Sequence, residues 1–249
     1  MNKKTEKFFY IWLSIMPPLG ILFEIICLII WPETLEGKKT SYFDIAVMYE
    51  FRYATIWVSV FTMVYGILNW IKLDHNIIGD WVARRNFLTT ITTLSFVESL
   101  VYNSAFVAYY LGLGEIASVE TWYNILKAVM EHFVTPTIIL IFYFICKKNT
   151  VDNKTYIKKY SWLNLIFIFI YSTYMIFRSF MIINFFEDWE NNSLMAFPYP
   201  QLNPYTKGWG LYIFGIISTY IATWLISVTL NFLINYVDKK KLYKKNNVK

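Results

Sequence analysis

Lys127-Ala-Val-Met-Glu131-His132-Phe-Val-Thr135-Pro136 lies inside an otherwise apolar run over residues 122–146. At about 1.5 Å of rise per residue, about 20 residues cross the hydrocarbon core of a bilayer, so this run is long enough to span one as a helix. Three ionisable side chains stand within six residues of it. Each costs at least a few kcal/mol at the bilayer centre unless it faces a partner or a wet cavity, so the stretch predicts an interior polar site. Pro136 has no N–H and leaves the carbonyl of His132 without its helical donor, and a bend is expected at the histidine.

The rest of the chain agrees with a membrane reading. It is 57% hydrophobic, 20% aromatic and only 16% charged, which excludes an ordinary soluble domain. The net charge of +6 does not point to nucleic acid, because the basic residues are gathered in short segments beside the apolar runs. The two cysteines, Cys27 and Cys146, fall toward opposite sides of the membrane and predict neither a disulfide nor a zinc site. No Gly-rich phosphate loop, HExxH, GxSxG or paired CxxC is present, so no metal or cofactor is expected.

Apolar runs over about 8–31, 54–71, 87–111, 122–146, 162–186 and 209–236 predict one domain over residues 1–249, an all-α integral membrane bundle of six transmembrane helices. Pro17-Pro18 should kink the first. The N-terminus, the 72–86 and 147–160 connections and the tail after Tyr236 carry 17 Lys and Arg, against 4 in the connections 32–53, 112–121 and 187–208. The positive-inside rule therefore predicts that both termini are cytoplasmic. Only Lys127 and Arg178, of 23 basic residues, remain within the spans.

With that orientation Glu24, Glu98, Lys127, Glu131 and Arg178 all fall in the middle-to-outer zone of the bilayer. Their formal charges nearly cancel, which predicts a buried network or a polar cavity. At about 100° per residue, Asn124, Lys127, Glu131 and Thr135 share a face of the fourth span, with His132 beside it. Facing stripes are offered by Thr92, Ser95, Glu98, Ser99 and Tyr102 on the third span and by Tyr171, Tyr174 and Arg178 on the fifth.

A histidine inside this zone is a candidate general base. Ser and Thr hydroxyls are numerous, and in membrane helices most bond back to their own helix, so spacing alone does not select a nucleophile. Three segments do carry a resemblance. His132-Phe-Val-Thr-Pro136, the aromatic-x-x-Thr stretch Phe51-Arg-Tyr-Ala-Thr55-Ile-Trp, and Phe197-Pro-Tyr199-Pro-Gln-Leu ahead of Gly208 are similar to segments of the androgen-induced/FAR-17a-like membrane proteins. That family includes hydrolases of fatty acid esters of hydroxy fatty acids. The resemblance implies six spans with cytoplasmic termini and a catalytic pair of Thr55 and His132, with Thr62 as the competing threonine. It implies acyl transfer from a lipid or fatty acyl ester to threonine. Arg178, Tyr199 or backbone N–H groups would face the oxyanion, while Glu98 or Glu131 would hold the imidazole or pair with Lys127 or Arg178. Lys127 and Glu131 are not features of the family, nor is Phe-Pro-Tyr-Pro-Gln-Leu its eukaryotic form.

Two other readings stand beside the hydrolase. One is a noncatalytic structural or lipid-binding membrane protein in which the histidine network joins helices. The other is a small-solute carrier, against which the absence of an internal repeat argues. The abundance of Lys, Asn, Ile, Phe and Tyr resembles a low-GC bacterial genome, which would place the chain as a multi-pass protein of the plasma membrane.

Overall fold

The computed structural model describes all residues except 33, 36–37, 114–120, 147, 186–195, 200–201 and 248–249. Among the described residues, six helical stretches are long and apolar enough to cross a membrane: Lys3–Ile30, Ala54–His75, Arg85–Tyr110, Trp122–Ile145, Asn153–Phe185 and Trp209–Lys240. They fall on the six predicted runs, with the fifth starting earlier and the sixth continuing further than the apolar pattern alone.

The first helix, α1 (Lys3–Ile30), is capped by Asn2, whose side chain accepts the Thr5 N–H at 2.8 Å. It continues through Pro17 and Pro18. It packs along α3 (Ala54–His75) so closely that a Cβ at Gly66 would stand 2.7 Å from the backbone N of Ser14. In lipid the gain from such contact is van der Waals packing, and a missing side chain is what admits it. Around this crossing Leu13, Tyr65, Leu88, Phe142 and Ile234 form the main core, drawn from α1, α3, α4 (Arg85–Tyr110), α6 (Thr135–Ile145) and α10 (Trp209–Asn247). By contrast α8 (Leu163–Phe185) and α10 carry exposed Phe169, Phe180, Phe214 and Phe232, as expected of helices that face hydrocarbon.

At the end of the bundle nearest the chain's N-terminus, Arg85 donates to the carbonyls of Tyr143 and Cys146 at 2.7 Å and of Lys148 at 3.1 Å. The Lys148 ammonium donates in turn to the Ala83 carbonyl at 2.8 Å. Its burial lowers the lysine to about 8. At the opposite end, the sequence reads 32–53 as a plain connection, and this needs correction. It contains a two-residue antiparallel ladder, β1 (Thr34–Leu35) with β2 (Lys38–Lys39), and then a helix, α2 (Phe43–Glu50). Ala46 and Glu50, four apart, are the buried face of α2.

The fourth span is interrupted where Pro136 predicts a bend. It runs as α5 (Trp122–Val129), a π-helical turn over Met130–Val134, and α6. The extra residue in this turn is how the chain accommodates a proline that cannot donate to His132. The fifth span opens with α7 (Asn153–Thr155) and a second π turn, Tyr156–Tyr160, before α8. A short α9 (Pro204–Lys207) precedes α10.

Candidate functional site

The π turn presents Glu131 and His132 inward, both buried. α4 faces it with Glu98, Ser99, Tyr102 and Asn103, at helical spacings of one, four and five from Glu98. The Ser99 hydroxyl donates to the His132 carbonyl at 2.6 Å, and the Asn103 amide lies 3.5 Å from the same oxygen. These donors replace the backbone N–H that Pro136 lacks. The Tyr102 ring lies flat on the imidazole, with centroids 3.7 Å apart and planes within 6°. Thus both the main chain and the ring of His132 are held by α4.

His132 Nδ1 stands 3.2 Å from Glu98 Oε1, with the oxygen off the line of a ring N–H, so that neither atom is fully hydrogen-bonded. The Thr55 hydroxyl is within reach of the same carboxyl as a donor. Glu98 therefore lies between the two residues that the sequence pairs directly; among the described residues no hydrogen bond joins Thr55 to His132. Thr55 is half-buried, whereas Thr62, two turns deeper in α3, is fully buried. Of these two threonines, Thr55 is the one that is partly exposed.

The expected pairing of Lys127 with Glu131 is corrected. Lys127 forms its contact pair with Glu50 of α2, and its ammonium is 4.0 Å from Glu24 of α1. Glu131 instead packs its Oε1 against Gly20, where a Cβ would be 3.4 Å away. Asn124, Glu131 and His132 are buried and Lys127 nearly so, while Thr135 is half-buried, so the predicted face is real although its partner is not the one expected. Arg178 is corrected likewise: it lies on α8 near Tyr174, Arg52, Tyr171 and Tyr53, and donates to the Ala196 carbonyl at 3.5 Å. It belongs to a different cluster from Lys127.

Tyr199 is not directed at an oxyanion. Its hydroxyl accepts the Ala54 N–H at 3.0 Å, capping a helix whose own cap residue, Tyr53, supplies no side-chain bond. Nearby, the Tyr171 hydroxyl donates to the Arg52 carbonyl at 2.7 Å. Burial, foremost, pushes the Tyr199 phenol up to about 12, so it stays protonated at neutral pH. The segments around Tyr199 and Thr55, distant in sequence, thus meet at the start of α3, one residue from the candidate nucleophile.

Sequence reasoning missed Glu50 and Arg52. Both are buried; Arg52 stacks over Tyr49 and Tyr53 at 3.8 and 4.7 Å. The signal was the Ala46/Glu50 spacing within an apolar octet, together with Lys127, a lone lysine in its span that required an acid from somewhere. No group of three or more His, Cys, Asp or Glu among the described residues is arranged to hold a metal. Comparison with protein-family models, with curated proteins and with solved structures finds no match.

Proposed function

We propose that the chain is an intramembrane lipid ester hydrolase of the threonine/histidine type, related to the androgen-induced/FAR-17a-like proteins. The observation that carries this reading is the series Thr55, Glu98, His132: a half-exposed threonine, a largely buried carboxyl and a buried imidazole, near one another in that order. Thr55 attacks the ester carbonyl while its proton passes to Glu98, with the His132 imidazole on the other side of that carboxyl. The alkoxide leaves with a proton, the acyl group stays on Thr55, and water then releases it as a fatty acid. In the first turn of α3 the N–H groups of Ala54 and Ile56 are taken by Tyr199 and the Tyr53 carbonyl, and the N–H of Thr55 itself, which has no helical partner, serves the oxyanion in place of Arg178 or Tyr199.

The charge asymmetry supports cytoplasmic termini and hence a site near the outer leaflet of a bacterial plasma membrane. A cytoplasm-specific reporter fused after Lys249 should be active; activity of an extracytoplasmic reporter there reverses the orientation. For the reaction, the purified protein should be labelled by a fluorophosphonate probe, and labelling should vanish in Thr55→Ala and fall strongly in His132→Ala. Undiminished labelling of Thr55→Ala defeats the assignment.

The noncatalytic lipid-binding reading draws on the Lys127–Glu50 pair, which joins α5 to α2 in a purely structural manner. Absence of probe labelling, together with loss of the folded bundle in His132→Ala, would favour it.

A further inference from the structure

Glu131 differs from the other carboxyls of its cluster. Glu50 and Glu24 share the Lys127 ammonium, and Glu98 has Thr55 and His132 beside it. Glu131 is 7% exposed, no ion pair or hydrogen bond reaches it among the described residues, and its Oε1 lies against Gly20 of α1. The charged and titratable groups around it are Lys127 and His132 on its own span, Glu24 on α1, Glu50 on α2, and Glu98 and Tyr102 on α4. One lysine among four carboxyls leaves negative charge in excess. An ionised carboxylate without a donor in hydrocarbon costs several kcal/mol, and taking up a proton removes that cost.

From Gly20 a line of polar groups runs toward the N-terminal end of α1. Pro17, one turn away and buried, cannot donate to the Leu13 carbonyl, nor can Pro18 donate to that of Ser14. The Leu13–Ser14 peptide is the one that lies against Gly66 of α3, its carbonyl carbon 2.8 Å from where a Cβ would stand. One turn from Gly66, on the same face, Thr62 is fully buried and its hydroxyl has no hydrogen-bond partner among the described residues. Thr93 of α4 is in the same condition. The rings of Tyr65 and Phe87, 5.3 Å apart, set the register of α3 against α4 and put Thr93 roughly 5 Å from the level of Thr62. By contrast Ser14, Thr89 and Thr92 bond back to carbonyls of their own helices, the usual habit of hydroxyls in membrane helices. Further along, the Tyr65 ring meets Tyr10 edge-on at 6.2 Å, and the Tyr10 hydroxyl donates at 2.9 Å to Glu6 in the first turn of α1. Carbonyls without helical donors and unbonded hydroxyls are the groups that hold ordered water inside a bundle.

We infer that Glu131 is a proton-binding site loaded from the end of the bundle that holds Glu6, along Tyr10, Tyr65, Thr62, Thr93 and water held between them. Each relay accepts one proton as it passes another on and ends unchanged, so the Glu131 carboxylate alone becomes a neutral acid. The inference is independent of the hydrolase reading, since it uses neither Thr55 nor His132. Infrared spectra of the full-length protein in nanodiscs at neutral pH should show an undissociated carboxylic acid band that Glu131→Gln removes. The melting temperature should be kept in that variant, because an amide mimics the neutral acid. On transfer to D2O the band shifts as its proton exchanges, and Thr62→Val, which takes one relay from the chain, should slow that shift about tenfold. Thr62→Ser restores a hydroxyl and should exchange at the wild-type rate. Thr92→Val removes a hydroxyl already bonded to the Leu88 carbonyl and should leave the rate unchanged. A wild type without an acid band, or a band that survives Glu131→Gln, would overturn the site. A wild-type rate in the Thr62→Val/Thr93→Val double variant would overturn the path, because the carboxyl would then reach solvent by another route. Equal slowing by Thr92→Val would overturn it as well, by reducing the effect to packing.

Discussion

The Ser99 hydroxyl donates at 2.6 Å to the carbonyl of His132, the group that Pro136 leaves without its helical donor. A buried acceptor left unsatisfied costs about 1–3 kcal/mol, so Ser99→Ala should lower the melting temperature in detergent. Asn103, at 3.5 Å, is a weak substitute. In a Pro136→Ala background the turn regains an N–H, and the loss caused by Ser99→Ala should shrink. An equal loss in both backgrounds would mean that the serine contributes by packing alone.

Lys127 is held by Glu50 rather than by Glu131. Breaking a buried pair by removing one partner typically costs about 3–5 kcal/mol, whereas removing both costs less. Lys127→Met and Glu50→Gln should therefore each destabilise the bundle strongly, with the double substitution milder than their sum, while Glu131→Gln should show no coupling of that size to Lys127→Met. A double-mutant cycle on thermal unfolding measures this directly. Additive losses for Lys127 and Glu50 would remove the pair from the account.

At the other end of the bundle, burial lowers Lys148 from 10.5 to about 8. The unfolded chain then binds more protons than the folded one between these values, so stability rises with pH across that interval. Above about pH 10 unfolded tyrosines ionise and oppose the trend, which limits the useful window to about pH 8–10. The melting temperature of the wild type relative to Lys148→Met should increase through this window. A flat difference would show that the folded lysine keeps its ordinary affinity for a proton.

Much of this architecture is legible from hydrophobic length, because a bilayer leaves a helix few alternatives over residues 54–71 or 209–236. The polar face of the fourth span is legible too: Asn124, Lys127 and Glu131 repeat at helical spacing, and apolar surroundings make them conspicuous. Their partners are not. Lys127 selects Glu50 over the acid one turn away because α2 folds back against α1, and the Ala46/Glu50 spacing marks a buried face of α2 without saying what it packs on. Similarly, no spacing rule places Glu98 between Thr55 and His132, since those contacts depend on how three helices rotate about one another. The π turn is half legible. Pro136 signals that the ladder must break, but whether it breaks as a kink or as an inserted residue depends on Ser99 and Asn103 across the interface.

The series from Thr55 through Glu98 to His132 makes a sharper kinetic prediction than a simple pair. Members of one catalytic unit are strongly non-additive, so Thr55→Ala, Glu98→Gln, His132→Ala and their combinations should reduce lipid ester hydrolysis to about the same residual level. Thr55→Ser preserves a hydroxyl and should retain part of the activity, while Thr55→Val preserves the shape and should retain none. Thr62→Val should remain active, because its hydroxyl is sealed within the bundle at 0% exposure. Full activity in Glu98→Gln would return the proton directly to His132 and require the imidazole to swing toward Thr55. Full activity in Thr55→Val with loss in Thr62→Val would move the nucleophile two turns down α3, and the bundle would then have to open for substrate to reach it.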